Sequence, residues 1–309
     1  MKMNAQWLDL GSFFSYRKNE IDYQIFYRDS AKGILQETNK PTLLLIHGFP
    51  TASIDWQHIW NDLDKHFRLL TLDMIGFGLS DKPQDYTYSI HDQADIFQAL
   101  LNNLDISNYH ILAHDYGDTV AQELLARQLD RGKLESSNSL IDGKIRSTIL
   151  LNGGLFPETH RPVLMQKLLI SPLGSLLIKL YSYKKFKKTF STICSQPIPE
   201  EELSAYWELL QYNNGTKVMP KLIRYMQERK QYRTRWVGAL EKVNMPLRLI
   251  DGLADPISGL HMVERYKQLI ENYDVVELKE VGHYPQVEAP QEVLSAALEF
   301  WQKQRIIVL

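Results

Sequence analysis

The stretch Asn108–Arg127, "NYHILAHDYGDTVAQELLAR", decides how the chain folds. "YHILAH" is a short apolar run of the kind that is buried on both faces of a sheet, and "DTVAQELLAR" has the spacing of an amphipathic helix. Between them lies Ala113-His114-Asp115-Tyr116-Gly117, small at both ends with an aspartate at the centre. A sharp strand-to-helix turn needs small flanks because its backbone passes close to neighbouring strands. It lifts its central side chain into a cleft and turns the next backbone N–H toward the same point. Read as a helix N-cap, Asp115 would leave that small-x-Asp-x-small pattern unexplained.

Outward from this segment the same rhythm recurs. "TLLLIHG" and "FRLLTLD" precede it, "IRSTILLNGG" follows, and "PLRLIDG" and "YDVVELKEV" come much later. Strands alternating with helices predict a mostly parallel central sheet with right-handed crossovers, flanked by helices. The opening, roughly Gly11 to Arg28, alternates polar and apolar residues as an antiparallel hairpin does. The alternation stops between about Phe156 and Leu240, a region rich in Tyr, Trp, Lys and Arg with no buried-strand run. The simplest account is an α/β core over 1–155 and 241–309, with a helical cap over 156–240 inserted after the sixth strand, above the sheet's carboxyl edge.

The bulk properties narrow the classes. With 309 residues, 44% of them hydrophobic, the chain can bury a large core. A net charge of -2 gives no electrostatic case for a nucleic-acid partner. The single cysteine, Cys194, cannot form an intramolecular disulfide and reads as a small hydrophobe. "MKMNAQWLDL" lacks the apolar core of a signal peptide, and "LLISPLGSLLIKLYSY", the closest approach to a membrane span, is interrupted by Pro172, Gly174 and Lys179. The expectation is a cytoplasmic protein, monomer or homodimer, acting on a small, apolar molecule. "YSYKKFKK" reads as the solvated face of a cap helix. The glycines of "DMIGFGLSD" lack dinucleotide-binding spacing and instead let a loop pass beside the turn.

In open α/β sheets ligands gather beyond the carboxyl ends of the strands, so the candidate site residues are those just after the apolar runs. Three fall there in the order nucleophile, acid, histidine: Asp115, Asp255 and His283. Of nine histidines only His283 follows the last core strand and precedes the final helix, "PQEVLSAALEFWQK". His47 reads as a prop for the loop after the first core run, and His114 as pointing away from the cleft. His58, His66, His91, His110, His160 and His261 have no partner in view. Asp255 suits an orienting acid, since a carboxylate on Nδ1–H fixes the tautomer and stabilises the imidazolium. Its rival Asp251 reads as ending the strand and serving the turn, and Asn152, another place for the acid, cannot carry the charge.

The motifs "HGFP", "DMIGFGLSDKP", "HDYGDTVA", "GLADP" and "GHYPQVEAP" resemble the haloalkane dehalogenase and epoxide hydrolase branch of the α/β-hydrolase superfamily. "HDYGDTVAQELL", "NGGLFPETHRPVLMQKLL" and "RWVGAL" are similar to a vertebrate member of that superfamily, cap included. The resemblance implies that Asp115 attacks saturated carbon to form an alkyl-enzyme ester, which water activated by His283 then hydrolyses. The backbone N–H groups of Phe49 and Tyr116 would receive the oxyanion, and neither metal nor organic cofactor is required. Phe49 and Tyr116 stand where the branch usually carries a polar residue and a Trp, which weakens a halide cradle. The cap offers Tyr181, Tyr183, Tyr206, Tyr212, Tyr225 and Tyr232 against Trp207 and Trp236. Tyr225, then Tyr212, are the favoured proton donors to an epoxide oxygen; Trp207 reads as a halide donor or as cap core. Epoxide opening is favoured. Carbon–halogen hydrolysis and a non-catalytic binding protein are the alternatives, and acyl hydrolysis lacks a serine or cysteine in the turn.

Overall fold

The computed structural model describes residues 5–33, 40–133 and 144–308. Eight strands form one sheet in the order β1-β2-β4-β3-β5-β6-β7-β8. The apolar runs become six parallel strands, β3 (Thr42–Ile46), β4 (Arg68–Leu72), β5 (Asn108–His114), β6 (Lys144–Leu151), β7 (Leu247–Gly252) and, at the far edge, the half-buried β8 (Val275–Leu278). Leu44 of β3 pairs with Leu70 on one side and Ile111 on the other. Every residue of β3 is buried, so both sheet faces must be covered, and apolar residues without alternation satisfy both. β1 (Ser12–Lys18) and β2 (Ile21–Asp29) form the antiparallel hairpin at the edge. Asn19 and Glu20 turn it with φ of 49° and 65°, the left-handed pair a two-residue hairpin needs.

Helices cover both faces. Ile90–Asn103 starts at Ser89, whose side chain accepts from the Asp92 N–H. Tyr116–Lys133 leaves the Asp115 turn directly. The final helix Pro290–Lys303 packs Trp301 on Phe67, ring centroids 4.6 Å apart, and Trp301 Nε1 donates to Ser147 on β6.

Between β6 and β7 the regular elements are all helical. Tyr183–Ile193 buries Phe186, Phe190 and Ile193 and exposes Lys184, Lys185 and Lys188, the solvated face expected. The run "KLIRYMQERKQYRTRW" is not one helix: it is broken into Met219–Leu222, Tyr225–Gln231 and Arg233–Lys242. The last of these lies on the core helix Tyr116–Lys133, where Arg235 Nε and Trp236 Nε1 donate to the Glu123 carboxylate at 2.7 and 2.8 Å. The other helices roof the carboxyl end of the sheet. Phe190 packs on Tyr284 (5.1 Å), Tyr225 on Tyr116 (4.6 Å), and the Ile193 carbonyl accepts from the His283 N–H. Among the described residues no helix is long and apolar enough to cross a membrane.

Candidate active site

Asp115 ends β5 with φ of +50°, a backbone region that L-residues seldom enter and that here turns the chain sharply into the next helix. Its N–H donates to the Leu151 carbonyl, and its own carbonyl accepts from the Asp118 N–H. The small neighbours are obligatory. A Cβ on Gly117 would lie 2.4 Å from the Ile46 carbonyl oxygen, and one on Gly48 would lie 2.7 Å from His114 Nδ1. The turn thus fits only because two backbone segments can approach without side chains.

The carboxylate of Asp115 is divided between two environments. Oδ2 accepts from the Phe49 N–H at 2.9 Å, with the Tyr116 N–H as a second backbone donor. Oδ1 lies 3.8 Å from His283 Nε2. On the far side of that ring, Nδ1 is 2.7 Å from Asp255 Oδ2. Asp255 is held by the N–H groups of Ile257 and Ser258, the Ser258 hydroxyl and the Asn152 amide. Asp115, Asp255 and His283 are each buried to within 3% of full cover.

The charges follow from this arrangement. Burial raises the Asp115 pKa, and His283 with the two backbone donors works against that rise. Burial likewise opposes charge on Asp255, but His283 and its fixed donors hold its pKa below the ordinary value. Desolvation disfavours the imidazolium of His283, yet Asp255, with Asp115 behind it, outweighs burial and raises the pKa to about 9. Asp255 therefore stays ionised, and Nδ1–H points at it. Nε2 is left to exchange protons beside Asp115.

Residues around the triad differ from expectation in instructive ways. Asn152, set aside as an acid, holds the acid instead: Oδ1 accepts from the Gly252 N–H at 2.7 Å and Nδ2 donates to Gly252 O and Asp255 Oδ2. Asp251 was expected to serve the turn. Neither carboxyl oxygen has a hydrogen-bond partner, and burial raises its pKa well above the ordinary value. His47 does prop its loop: Nε2 accepts from the Met74 N–H and Nδ1 faces the Gly48 carbonyl. His114 turns away from the cleft to bond the His283 carbonyl at 2.7 Å, and burial lowers its pKa to about 3, leaving it neutral. His58, His91, His110 and His261 have partners after all: Glu202, Glu123, Ser147 and the Ile257 carbonyl.

The cap positions separate. Tyr225 is 1% exposed over Tyr116, and its hydroxyl makes no hydrogen bond of ordinary geometry, although Asp115 and Arg229 lie near enough to act on it. Tyr212 is 39% exposed with Lys82 over its ring, where two left-handed residues, Asn213 and Asn214, turn the chain. Trp207 packs among Tyr181, Tyr183 and Phe186, as cap core. Two residues were missed. Arg229, one helical turn after Tyr225, is 3% exposed; His160 lies in the loop after β6 with both ring nitrogens buried and unpartnered. The missed signal for Arg229 is the i,i+4 spacing, which puts it on the same helix face as Tyr225. Among the described residues no group of three His, Cys, Asp or Glu side chains is arranged to hold a metal ion.

The family model described as "alpha/beta hydrolase fold" matches residues 41–290. The mesoderm-specific transcript protein of Mus musculus is 40% identical over 304 residues, covering 95% of this chain and 86% of the relative. A putative hydrolase, LipZ, of Mycobacterium tuberculosis is 38% identical over 262 residues, covering 84% and 87%. Among solved structures, a loop variant of a haloalkane dehalogenase from Bradyrhizobium elkanii superposes with a TM-score of 0.74 at 20% identity, covering 96% of this chain and 99% of that one.

Proposed function

This chain belongs to the alpha/beta hydrolase fold family, and on that premise we propose that it opens epoxides through an ester formed on Asp115. The observation that carries the reading is the divided carboxylate: one oxygen on the backbone N–H of Phe49, the other 3.8 Å from His283 Nε2. A carboxylate is a poor nucleophile toward esters but can displace a leaving group at saturated carbon. Asp115 Oδ1 attacks a ring carbon, the carbon–oxygen bond breaks, and the alkoxide takes the proton of the Tyr225 hydroxyl. Neutral His283 then removes a proton from water, which adds to the carboxyl carbon of Asp115. The negative charge collects on Oδ2, already on the Phe49 N–H and beside the Tyr116 N–H, donors worth about 3 kcal/mol each in such a hole. Collapse expels the diol, with the imidazolium supplying the proton for the departing oxygen, and the proton left on the Asp115 carboxyl returns to the Tyr225 phenolate, restoring both groups. The helical segment 156–240 acts as the cap that shields this exchange from bulk solvent while admitting the hydrolytic water.

Epoxide rather than halide is supported by the cap. Tyr225 offers a buried hydroxyl without a partner, whereas the Trp236 N–H is spent on Glu123 and Trp207 lies in the cap's own core. The test is to replace His283 with glutamine, incubate with panels of small epoxides and haloalkanes, and weigh the intact protein. Ester formation needs no base but breakdown does, so a mass increase mapping to Asp115 is expected with an epoxide. Adducts from haloalkanes alone would reverse the order of the two readings. Adducts from neither would leave a binding protein with a hydrolase fold.

A further inference from the structure

Among the described residues, buried ions such as Glu123 and Arg248 are met by partners, while the buried carboxyls without partners, Asp118 and Asp251, have pKa values raised by burial toward the neutral form. Glu123, at 1% exposure, receives Arg127, Arg235 and Trp236 and faces His91 at 3.0 Å. Arg248, at 4%, bonds Asp274, Glu299 and the Ala296 carbonyl. Arg229 is as deeply buried, yet its Nε and Nη1 have no hydrogen-bond partner. The carboxylate of Glu158, within electrostatic reach, is already taken by Arg233 and Arg265. The guanidinium rests against Gly154, where a Cβ would fall 2.3 Å from Nη1, and its carbon lies 5.5 Å from the Tyr225 ring centroid. Beside it the two ring nitrogens of His160 are also buried and unpartnered. A buried guanidinium whose N–H groups are unfilled is costly unless something completes it. Arg229 adjoins the Tyr225 ring and lies within electrostatic reach of the Tyr225 hydroxyl and Asp115.

We infer that Arg229, with His160 beside it, is the receptor for a carboxylate on the substrate, so that the molecule to be opened is an epoxy acid bearing its anion near the reacting ring. The substrate class rests on the epoxide reading above; the anion site rests on the unpartnered groups. A planar guanidinium with two free N–H directions suits a carboxylate's paired oxygens, and a neutral imidazole adds one further donor. The anion would be held by the cap while Asp115 attacks from the floor. This replaces the expectation of a wholly apolar substrate.

Two measurements separate the anion site from the reaction. The first is thermal unfolding of the wild type and of Arg229→Gln with propionate or its neutral isostere propionamide. Propionate is expected to raise Tm in the wild type, propionamide is not, and the rise is expected to vanish in R229Q and survive in part in Arg229→Lys. Without ligand, R229Q is expected to melt no lower than wild type, since it loses an uncompensated buried charge; a marked fall would mark a merely structural arginine and overturn the proposal. The second is the rate at which His283→Gln forms an adduct with glycidate and with glycidamide. Glycidate is expected to react at least tenfold faster, and the preference to disappear when R229Q is added. Equal rates with no propionate effect overturn the anion site and leave epoxide opening standing. A propionate effect without an adduct from either compound keeps the anion site and sinks the epoxide reading.

Discussion

The surroundings of Asp255 on the floor of the site and of Tyr225 in its roof treat polar atoms in opposite ways. On the floor Asp255 receives two backbone N–H groups, the Ser258 hydroxyl, the Asn152 amide and His283, and the His283 loop is pinned through Ile193 and His114. On the roof the Tyr225 hydroxyl and two nitrogens of Arg229 are buried without partners, as are both ring nitrogens of His160 at its rim. Saturated groups hold their geometry before substrate arrives, which is what a reaction with developing charge requires. Unsaturated buried groups cost stability in the empty protein and are repaid when a ligand completes them. On the proposed reading, the groups around Asp255 serve the chemical step and those around Tyr225 choose the substrate.

The comparison breaks most severely at Asp115. Asp115→Ala is expected to remove turnover by a factor of about 10⁵ or more, since no other group can form the ester. Steady-state diol formation measures it. Substantial residual activity would mean that water is activated directly and the divided carboxylate is incidental.

Asp255→Asn is next. An amide at this position presents the wrong group to Nδ1, favouring the tautomer that protonates Nε2, and ester hydrolysis is expected to slow by about 10⁴, or ~5.5 kcal/mol. The pH profile sharpens the point. His283 has a folded pKa raised to about 9, so its charged form stabilises the fold fully below the ordinary value and that contribution fades as pH rises through 9. Its basic form appears over the same upper range. Hydrolysis should therefore climb with pH, and because esterification removes the Asp115 charge, its midpoint should fall below that of the free enzyme. Loss of Asp255 should lower both midpoints; unchanged midpoints would show that the pair does not set the base.

The same division governs what the sequence disclosed. Floor residues stand immediately beyond apolar runs whose direction in a parallel sheet is forced, so Asp115, Asp255 and His283 could be found by position alone. Asn152 sat at an equally legible place, but its work is to hold Gly252 and Asp255 rather than to carry charge, and only coordinates reveal such support. The roof is made of helices of 4 to 12 residues, too short for periodicity to tell an inward arginine from outward ones. Within "YMQERKQYRTRW" Arg229 is buried with two unfilled nitrogens while Arg233 binds exposed Glu158, and the i,i+4 spacing from Tyr225 that marks Arg229 continues one turn on to Arg233 without separating the two. Tyr212 was misjudged for the same reason.

Tyr225→Phe probes the roof. It is expected to slow ester formation with epoxides about 10²-fold, the usual worth of a positioned proton donor, with no more than about 1 kcal/mol lost in stability, because the hydroxyl makes no hydrogen bond of ordinary geometry although Asp115 and Arg229 act on it. A variant with unchanged alkylation would move the donor elsewhere in the cap. On the floor, Gly117→Ala would set a Cβ against two backbone carbonyl oxygens that no rotamer change can relieve. A loss of about 1–3 kcal/mol in denaturant unfolding is expected; a smaller loss would mean the turn can relax, and that the floor is less rigid than its hydrogen bonds imply.

The smallest effect should come from Trp207→Phe. Its indole packs against Tyr181, Tyr183 and Phe186 at centroid distances of 5.4 to 6.1 Å, inside the cap and away from Asp115. Phenylalanine keeps the aromatic face and loses part of the buried area, so stability should change by no more than about 1 kcal/mol. Ester formation with epoxides should stay within about twofold, a difference in barrier below 0.5 kcal/mol. The informative comparison is with haloalkanes, whose departing anion needs an N–H donor. If a haloalkane adduct forms in His283→Gln and disappears when Trp207→Phe is added, an indole of the cap core is reaching the leaving group. The roof would then recognise halide through a residue that this packing holds apart.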